Sequence, residues 1–145
     1  MKRLLLAAGI VFCAGCAPIL VDRAMSGTPR AAGGHSAPGV QGEWRVTAIG
    51  SALIPAANAP TVQIADNRVA GRTGCNSYSA PLQAGGERFS VGNAVSTRMA
   101  CGDRIMQQEH RFLRALESVE QVRPAGRQLL LLDGNGQVQL RLSPQ

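Results

Sequence analysis

The sequence predicts an α+β domain in which a curled, mostly antiparallel sheet, forming a partial barrel, packs against one helix. Two observations predict this class. Short segments that alternate apolar and polar residues recur along the chain between turn signals, as expected of antiparallel strands. One longer segment, 103–118, instead places its apolar residues at helical spacing. This helix lies between early and late strands, which favours α+β over a regular α/β alternation.

The N-terminus has the order of a secretory signal peptide. Lys2 and Arg3 form a basic tip, an apolar run follows over 4–12, and small residues stand before Cys16. The apolar run is shorter than the roughly 20 residues that a permanent transmembrane helix needs. We therefore expect residues 1–15 to be removed on export.

Cys16 follows the expected cleavage site and resembles the lipidated cysteine of the bacterial lipoprotein signal. The resemblance implies that its thiol receives a diacylglycerol and that the protein joins the membrane through this lipid anchor. Ala17 comes next. In that family a residue other than Asp at this position implies sorting to the outer membrane, with the domain facing the periplasm. The alternative is ordinary secretion with an unmodified Cys16.

Residues 16–41 are expected to form the lipidated cysteine and a flexible tether. The segment is rich in Ala, Gly, Pro and Ser and follows neither the strand period nor the helix period. A coil of about 24 residues spans roughly 25–30 Å, which is enough to hold a domain off a membrane surface. The folded domain is then expected over 42–145.

Six to eight short strands are expected in the domain. The clearest patterns are at 44–48, 61–64, 68–71, 88–91, 128–132 and 138–142. The run at 128–132 is continuously apolar, as in a strand covered on both faces. Turns are expected at 66–67, 85–86 and 133–136, because Asp, Asn and Gly tolerate positive φ.

The helix is expected to pack on the core through one apolar face. That face comprises Met106, Phe112, Leu113 and Leu116. Asp103 is the candidate N-cap. His110 is expected on the solvated flank of the helix.

The composition limits the partners. The chain has 15 basic and 9 acidic residues, and its only lysine, Lys2, lies in the signal segment. An arginine-rich surface suits anionic lipid headgroups or an acidic envelope protein. Nucleic acid is not expected as a partner, because export separates the protein from it and the aromatic fraction of 3% is too low for stacking platforms.

Cys75 and Cys101 are the cysteines that remain in the folded domain. In an oxidising compartment a disulfide between them is the favoured expectation. A reactive thiol and two buried free thiols are the alternatives. Neither a metal nor a cofactor is expected: zinc needs three or four ligands and only His110 could join the cysteines, and no phosphate loop or dinucleotide fingerprint occurs.

Three ordered segments of the domain carry a family resemblance. They read G-R-T-G-C-N at 71–76, T-R-M-A-C at 97–101 and E-H-R-F-L-R-A-L at 109–116. They resemble the META domain family, that of the heat-shock lipoprotein HslJ, whose pattern is G-x-x-G-C-N, T-R-M-x-C and a helix with E-x-x-F/Y-L-x-x-L. The motif residues that carry over, with roles unknown, are Gly74, Asn76, Thr97, Arg98, Met99 and Glu109.

The resemblance implies a curved antiparallel sheet with one helix, in an envelope protein linked to stress tolerance and drug resistance, with no established enzymatic activity. It also implies a likeness to pilot lipoproteins, whose cracked barrel can hold a lipid tail. The main hypothesis is a non-enzymatic, lipid-anchored binding or stress-tolerance module. A carrier or pilot with a lipid or peptide tail in the barrel is the second hypothesis, and a thiol-dependent enzyme is the third.

The motif residues are expected to have structural roles. Gly74 supplies positive φ, and the side chain of Asn76 bonds its own turn. Arg98 pairs with a carboxylate such as Glu109 or satisfies loop carbonyls, and Glu109 makes a salt bridge or a cap. The functional alternatives are a substrate-binding Asn76, an anion-binding Arg98 and a catalytic acid at Glu109, for which no motif places a second carboxylate.

Overall fold

The computed structural model describes residues 39–85 and 88–145. The expected signal segment, the lipidation site Cys16 and nearly all of the tether lie outside these residues, as does half of the turn expected at 85–86. Across the described residues, none of the helices has the length and apolar character of a membrane span.

The described domain contains ten strands, one 3₁₀ turn and one α-helix. The strands are β1 (Gly42–Ile49), β2 (Ala52–Leu53), β3 (Thr61–Ala65), β4 (Arg68–Arg72), β5 (Ser77–Gly85), β6 (Arg88–Val91), β7 (Val95–Ser96), β8 (Gln121–Ala125), β9 (Gln128–Leu132) and β10 (Val138–Pro144). The 3₁₀ turn is Ala56–Asn58, and the helix α1 is Asp103–Glu117.

Eight of these strands form a closed antiparallel barrel. Around the ring the order is β1, β3, β4, β5, β6, β8, β9 and β10, and β10 pairs with β1 to close it. The short strands β2 and β7 add to β1 and β5. The seam with the fewest paired residues joins β6 to β8 through one register pair, Arg88–Gln121. Two further hydrogen bonds support it, from Phe89 N–H to Glu120 O (3.0 Å) and from Val91 N–H to Val119 O (3.3 Å).

The closed ring confirms the α+β class with one packed helix and corrects the partial barrel. The sequence patterns identify neither β5 nor β8, and the closed ring needs both strands. The pattern of β8 is the less regular of the two. Its segment, Q-V-R-P-A, contains one large apolar residue and Pro124, and a proline argues against a strand inside a sheet. Without β8, the sheet would stay open between β6 and β9.

The interior of the barrel is filled by side chains. Inward residues of the strands form one core with the helix: Val46, Val62, Ile64, Val69, Ala80, Leu82, Phe89, Val91, Leu129, Leu131, Leu140 and Leu142. An eight-stranded barrel is just wide enough for side chains to fill it. The barrel interior is therefore mostly aliphatic.

The helix α1 crosses one open end of the barrel. It contacts β1 and β10 and also β6, which lies on the opposite side of the ring. Phe112 and Leu116 are fully buried in the core, and the ring of Tyr78 meets that of Phe112 edge-on at 5.2 Å. The expected N-cap shifts by one residue: Gly102 is the N-cap and Asp103 is the first helical residue.

The two ends of the barrel carry different segments. At one end, which we call the hairpin end, β1 begins at Gly42 opposite Ile64, next to the tight turn of the β3–β4 hairpin. In that turn Asp66 has a φ of 49°. β4 runs from this turn to Arg72 at the other end, which we call the helix end, and the segment 73–76 connects it there to β5. The chain therefore enters the barrel at the end opposite α1.

Tyr78 makes stability depend on alkaline pH. Its hydroxyl donates to Thr61 O (2.9 Å), and burial raises the pKa of this hydroxyl well above its ordinary value. The contribution of this hydroxyl to the free energy of unfolding is expected to be constant below about pH 10, the pKa of an exposed tyrosine, and to fall above it by about 1.4 kcal/mol per pH unit. Tyr78 is the only tyrosine, and the described residues contain no lysine.

Urea unfolding at a series of alkaline pH values measures this effect, with tyrosinate absorbance to follow the hydroxyl. Tyr78→Phe is the control. It is expected to lose about 1 kcal/mol at neutral pH, because the Thr61 carbonyl loses its donor, and then to show no further decrease above pH 10. An equal alkaline decrease in the variant would contradict the assignment.

Candidate functional site

The three motif segments meet at the helix end of the barrel. Thr73 and Asn76 come from the β4–β5 connection, and Glu109 comes from the second turn of α1. All three side chains are buried, with exposed fractions of 0%, 0% and 4%. We call Thr73, Asn76 and Glu109 the buried polar cluster.

The carboxylate of Glu109 is held by an amide and a hydroxyl. Asn76 Nδ2 lies 3.0 Å from both carboxylate oxygens, and Thr73 Oγ1 donates to Oε2. The expected salt bridge or cap is therefore replaced by neutral donors, and Arg98 is exposed at the surface. A buried carboxylate needs such donors because burial without hydrogen bonds is costly.

The inward position of Glu109 is predictable from its spacing in the sequence. Glu109 lies three residues before Phe112 and seven before Leu116, so it shares their face of the helix. Gln108, beside it, is also buried, and its Nε2 donates to Asn58 O (2.7 Å). Polar residues of α1 thus fix the helix to two loops at this end of the barrel.

The segment from Thr73 to Asn76 is a tight turn closed by its own backbone. Thr73 N–H donates to Asn76 O (2.8 Å), and Asn76 N–H donates to Thr73 Oγ1 (3.0 Å). Gly74 has a φ of 108°, and a Cβ there would lie 3.3 Å from Asn58 O. Gly74 is therefore the backbone device that the sequence predicts.

The side chain of Asn76 bonds other segments instead of its own turn. Its Oδ1 accepts from Thr97 Oγ1 and from Met99 N–H, both at 2.8 Å, while Nδ2 donates to Glu109. Thr97 Oγ1 in turn accepts from Ser77 N–H (3.2 Å). One buried amide thus connects β5, the helix and the loop before the helix, which the expected local turn does not.

Cys75 and Cys101 form a disulfide, with their Cα atoms 6.4 Å apart. The bond joins the residue next to Asn76 to the end of the loop that Asn76 holds. It therefore acts beside the amide as a second connection between the same two segments. In the disulfide neither cysteine offers the thiol that the enzyme hypothesis needs. We call residues 97–101 the clamped loop.

The outer side chains of the clamped loop face solvent. Thr97, Arg98 and Ala100 are exposed, and the exposed fraction of Met99 is 60%. The structure thus separates the motif residues into two groups. Asn76 and Glu109 lie inside and hold the loop, whereas Arg98 and Met99 lie outside and are presented by it.

The geometry offers no reaction centre at the buried polar cluster. Its carboxylate is inaccessible and already bonded. The surface has open concavities elsewhere. One of about 520 Å³ lies on the solvated side of α1 over Gln107, His110, Arg111 and Arg114, and one of about 420 Å³ lies at the β3–β4 hairpin. Within 39–85 and 88–145, no three His, Cys, Asp or Glu side chains group as metal ligands.

Comparisons with known proteins agree with the motif segments. The family model described as META domain matches residues 38–145, and no curated protein matches the chain. An NMR structure of a protein from Burkholderia xenovorans is similar, with a TM-score of 0.59 and 24% identity over 71% of this chain and 81% of that one. Another NMR structure has a TM-score of 0.54 and 17% identity over 70% and 86% of the two chains. At these identities, the two structures show the fold alone.

Proposed function

Because the chain belongs to the META domain family, we propose that it is a non-enzymatic, lipid-anchored envelope protein whose barrel is a binding or stress-tolerance module. The domain hangs in the periplasm from acyl chains on Cys16. It acts through its surface and not through a reaction centre.

The observation that carries this proposal is the inaccessibility of the motif carboxylate. A general acid or base must come within hydrogen-bond reach of the reacting group. Glu109 is 4% exposed, and both of its oxygens are occupied by Asn76 and Thr73. The motif therefore supports the shape of the helix end, and this buried supporting role favours binding over catalysis.

The lipid anchor rests on the sequence before the described domain. Cys16 follows the basic tip, the apolar run and the small residues of an export signal. Each buried methylene contributes about 0.8 kcal/mol, so two or three acyl chains hold a protein stably in a bilayer. The residues between Cys16 and Gly42 give the domain reach from that surface.

Replacing the anchoring thiol tests the localisation. Cys16→Ser in the full chain is expected to move the protein from the membrane fraction to the soluble envelope fraction and to remove the added lipid mass, because serine cannot form the thioether. Cys13→Ser is the matched control. The same atom changes there in a segment expected to be cleaved off, so acylation and membrane association should persist.

Intact-mass analysis and fractionation read both variants. An unacylated wild-type protein that retains its first fifteen residues would contradict the anchor. So would a Cys16→Ser protein that carries the same added lipid mass as the wild type.

Complementation separates a binding role from catalysis. A deletion strain is expected to lose tolerance to heat or to an antibiotic, and the wild-type gene should restore it. Glu109→Gln keeps the shape of the buried side chain but removes its acid, so it should restore tolerance as well. If folded Glu109→Gln fails to restore tolerance, an acid–base role is favoured instead.

The carrier hypothesis has less support. A lipid or peptide tail would need space inside the barrel, and the core side chains of the described strands occupy that interior. The packed interior therefore favours a surface-acting module.

A further inference from the structure

We propose that the clamped loop is a docking surface for an acidic protein partner, with Met99 entering an apolar pocket of that protein and Arg98 pairing with a carboxylate beside it. The inference rests on the proposed binding function and names its surface and its class of partner.

The clamped loop is held rigidly. Asn76 Oδ1 holds the backbone N–H of Met99 and the hydroxyl of Thr97, and the disulfide fixes Cys101. Thr97 N–H also donates to Ser77 O (3.0 Å). A loop held at three of its five positions loses little conformational freedom when it binds.

The side chains of the clamped loop stay exposed although its backbone is fixed. Arg98, Met99 and Ala100 all remain exposed. Large apolar side chains are exposed at three described positions, Leu53, Val95 and Met99. Val95 lies two residues before the clamped loop, and Met99 lies within it. A fixed backbone that presents exposed side chains is suited to recognition, because little order has to be gained on binding.

The exposed side chains of the clamped loop are of types that favour protein contacts. Methionine and arginine are enriched at protein interfaces, where methionine fills irregular apolar pockets and arginine pairs with carboxylates. Arg72 is exposed just before the 73–76 turn, and Arg104 is exposed just after the clamped loop. Asp103 is the exposed acidic residue next to Arg104. The complementary surface is therefore apolar at its centre and acidic around it.

The position of the loop favours a protein over the anchoring bilayer. The chain enters the barrel at the hairpin end, beside Gly42, and the clamped loop lies at the helix end. A flexible tether that joins the domain at the hairpin end leaves the helix end free to face away from the membrane. An anionic bilayer is the competing occupant, and the experiment distinguishes it.

Photo-crosslinking in intact cells tests the proposal on the full chain. Benzoylphenylalanine is placed at Ala100, beside the two proposed contact residues, and in a matched protein at Ala52, which is exposed on β2. A discrete protein adduct is expected at Ala100 and not at Ala52. Arg98→Glu and Met99→Ser should each lower the yield at least tenfold, because central interface residues typically cost more than a tenfold change in Kd.

Arg127→Glu and Leu53→Ser serve as controls, since both positions are exposed and lie outside the loop. They should leave the adduct unchanged. The partner identified by mass spectrometry is then purified, and its Kd for the wild type should be at least about tenfold lower than for Arg98→Glu. Thermal melting of each variant confirms that it is folded.

Equal adducts at Ala100 and Ala52, or an adduct that Arg98→Glu does not change, would overturn the proposal. Adducts to phospholipid alone would assign the loop to a membrane surface and overturn it as well. Failure of the lipid anchor gives a different result: the protein is then unacylated and soluble, while the adduct at Ala100 still forms.

Discussion

Glu109→Ala is expected to destabilise the domain by about 3 kcal/mol, because it leaves the buried donors of Asn76 and Thr73 without an acceptor. Neither donor can reach water, since both residues are fully buried. The variant also removes side-chain volume from the packed helix end, which adds to the loss. Chemical denaturation of the full chain measures the change in the free energy of unfolding.

Two further variants separate the possible causes. Gln107→Ala makes a similar truncation on the solvated face of the same helix and should change stability by less than about 0.5 kcal/mol. Glu109→Gln keeps an acceptor oxygen for Asn76, so most of the stability should remain. A loss in Glu109→Gln as large as in Glu109→Ala would show that the negative charge, and not the hydrogen bonding, holds the loops.

Removing the disulfide is expected to cost roughly 3–4 kcal/mol in the chain-entropy model. The bond closes a loop with a sequence separation of 26, which restricts the unfolded chain considerably. The double variant Cys75→Ser with Cys101→Ser tests this without leaving an unpaired thiol in the domain. Unfolding by urea should show a lower midpoint with an unchanged fold at neutral pH.

Reduction provides the matched control for the disulfide. A reducing agent should lower the unfolding midpoint of the wild type toward that of the double variant and should leave the double variant itself unchanged. A wild-type midpoint that does not respond to reduction, with the bond shown to be open, would contradict a stabilising role.

The sequence predicts those parts of the fold that have a regular pattern. β1, β3 and β10 alternate apolar and polar residues along one buried face, and the helix carries its apolar stripe, so each is visible locally. β5 was missed because Ser77–Gly85 contains Pro81 and few large apolar residues. β8 was missed for the same reason, and with it the closure of the ring.

The sequence predicts which residues belong to the candidate site but not which of them bond each other. The motifs indicate Asn76, Glu109 and the cysteines, and the disulfide follows if the domain is exported to an oxidising compartment, as the sequence predicts. That Asn76 bonds Met99 and not its own turn depends on where β5 and the helix bring distant segments together, over a separation of 23 residues. Such non-local contacts have no periodic signal in the chain.

The closed ring limits the association of one molecule with another through strand edges. A strand with unpaired backbone groups invites other chains to add to it, and closing a sheet into a ring leaves fewer such edges. The seam between β6 and β8 has the fewest bonds, so it is where the ring would part first. Arg123 and Pro124 lie on the strand that would then be uncovered. Pro124 has no backbone N–H, so a neighbouring chain that paired with the uncovered strand would lack one hydrogen bond. The same proline makes β8 hard to predict as a strand, and it also limits polymerisation through this edge.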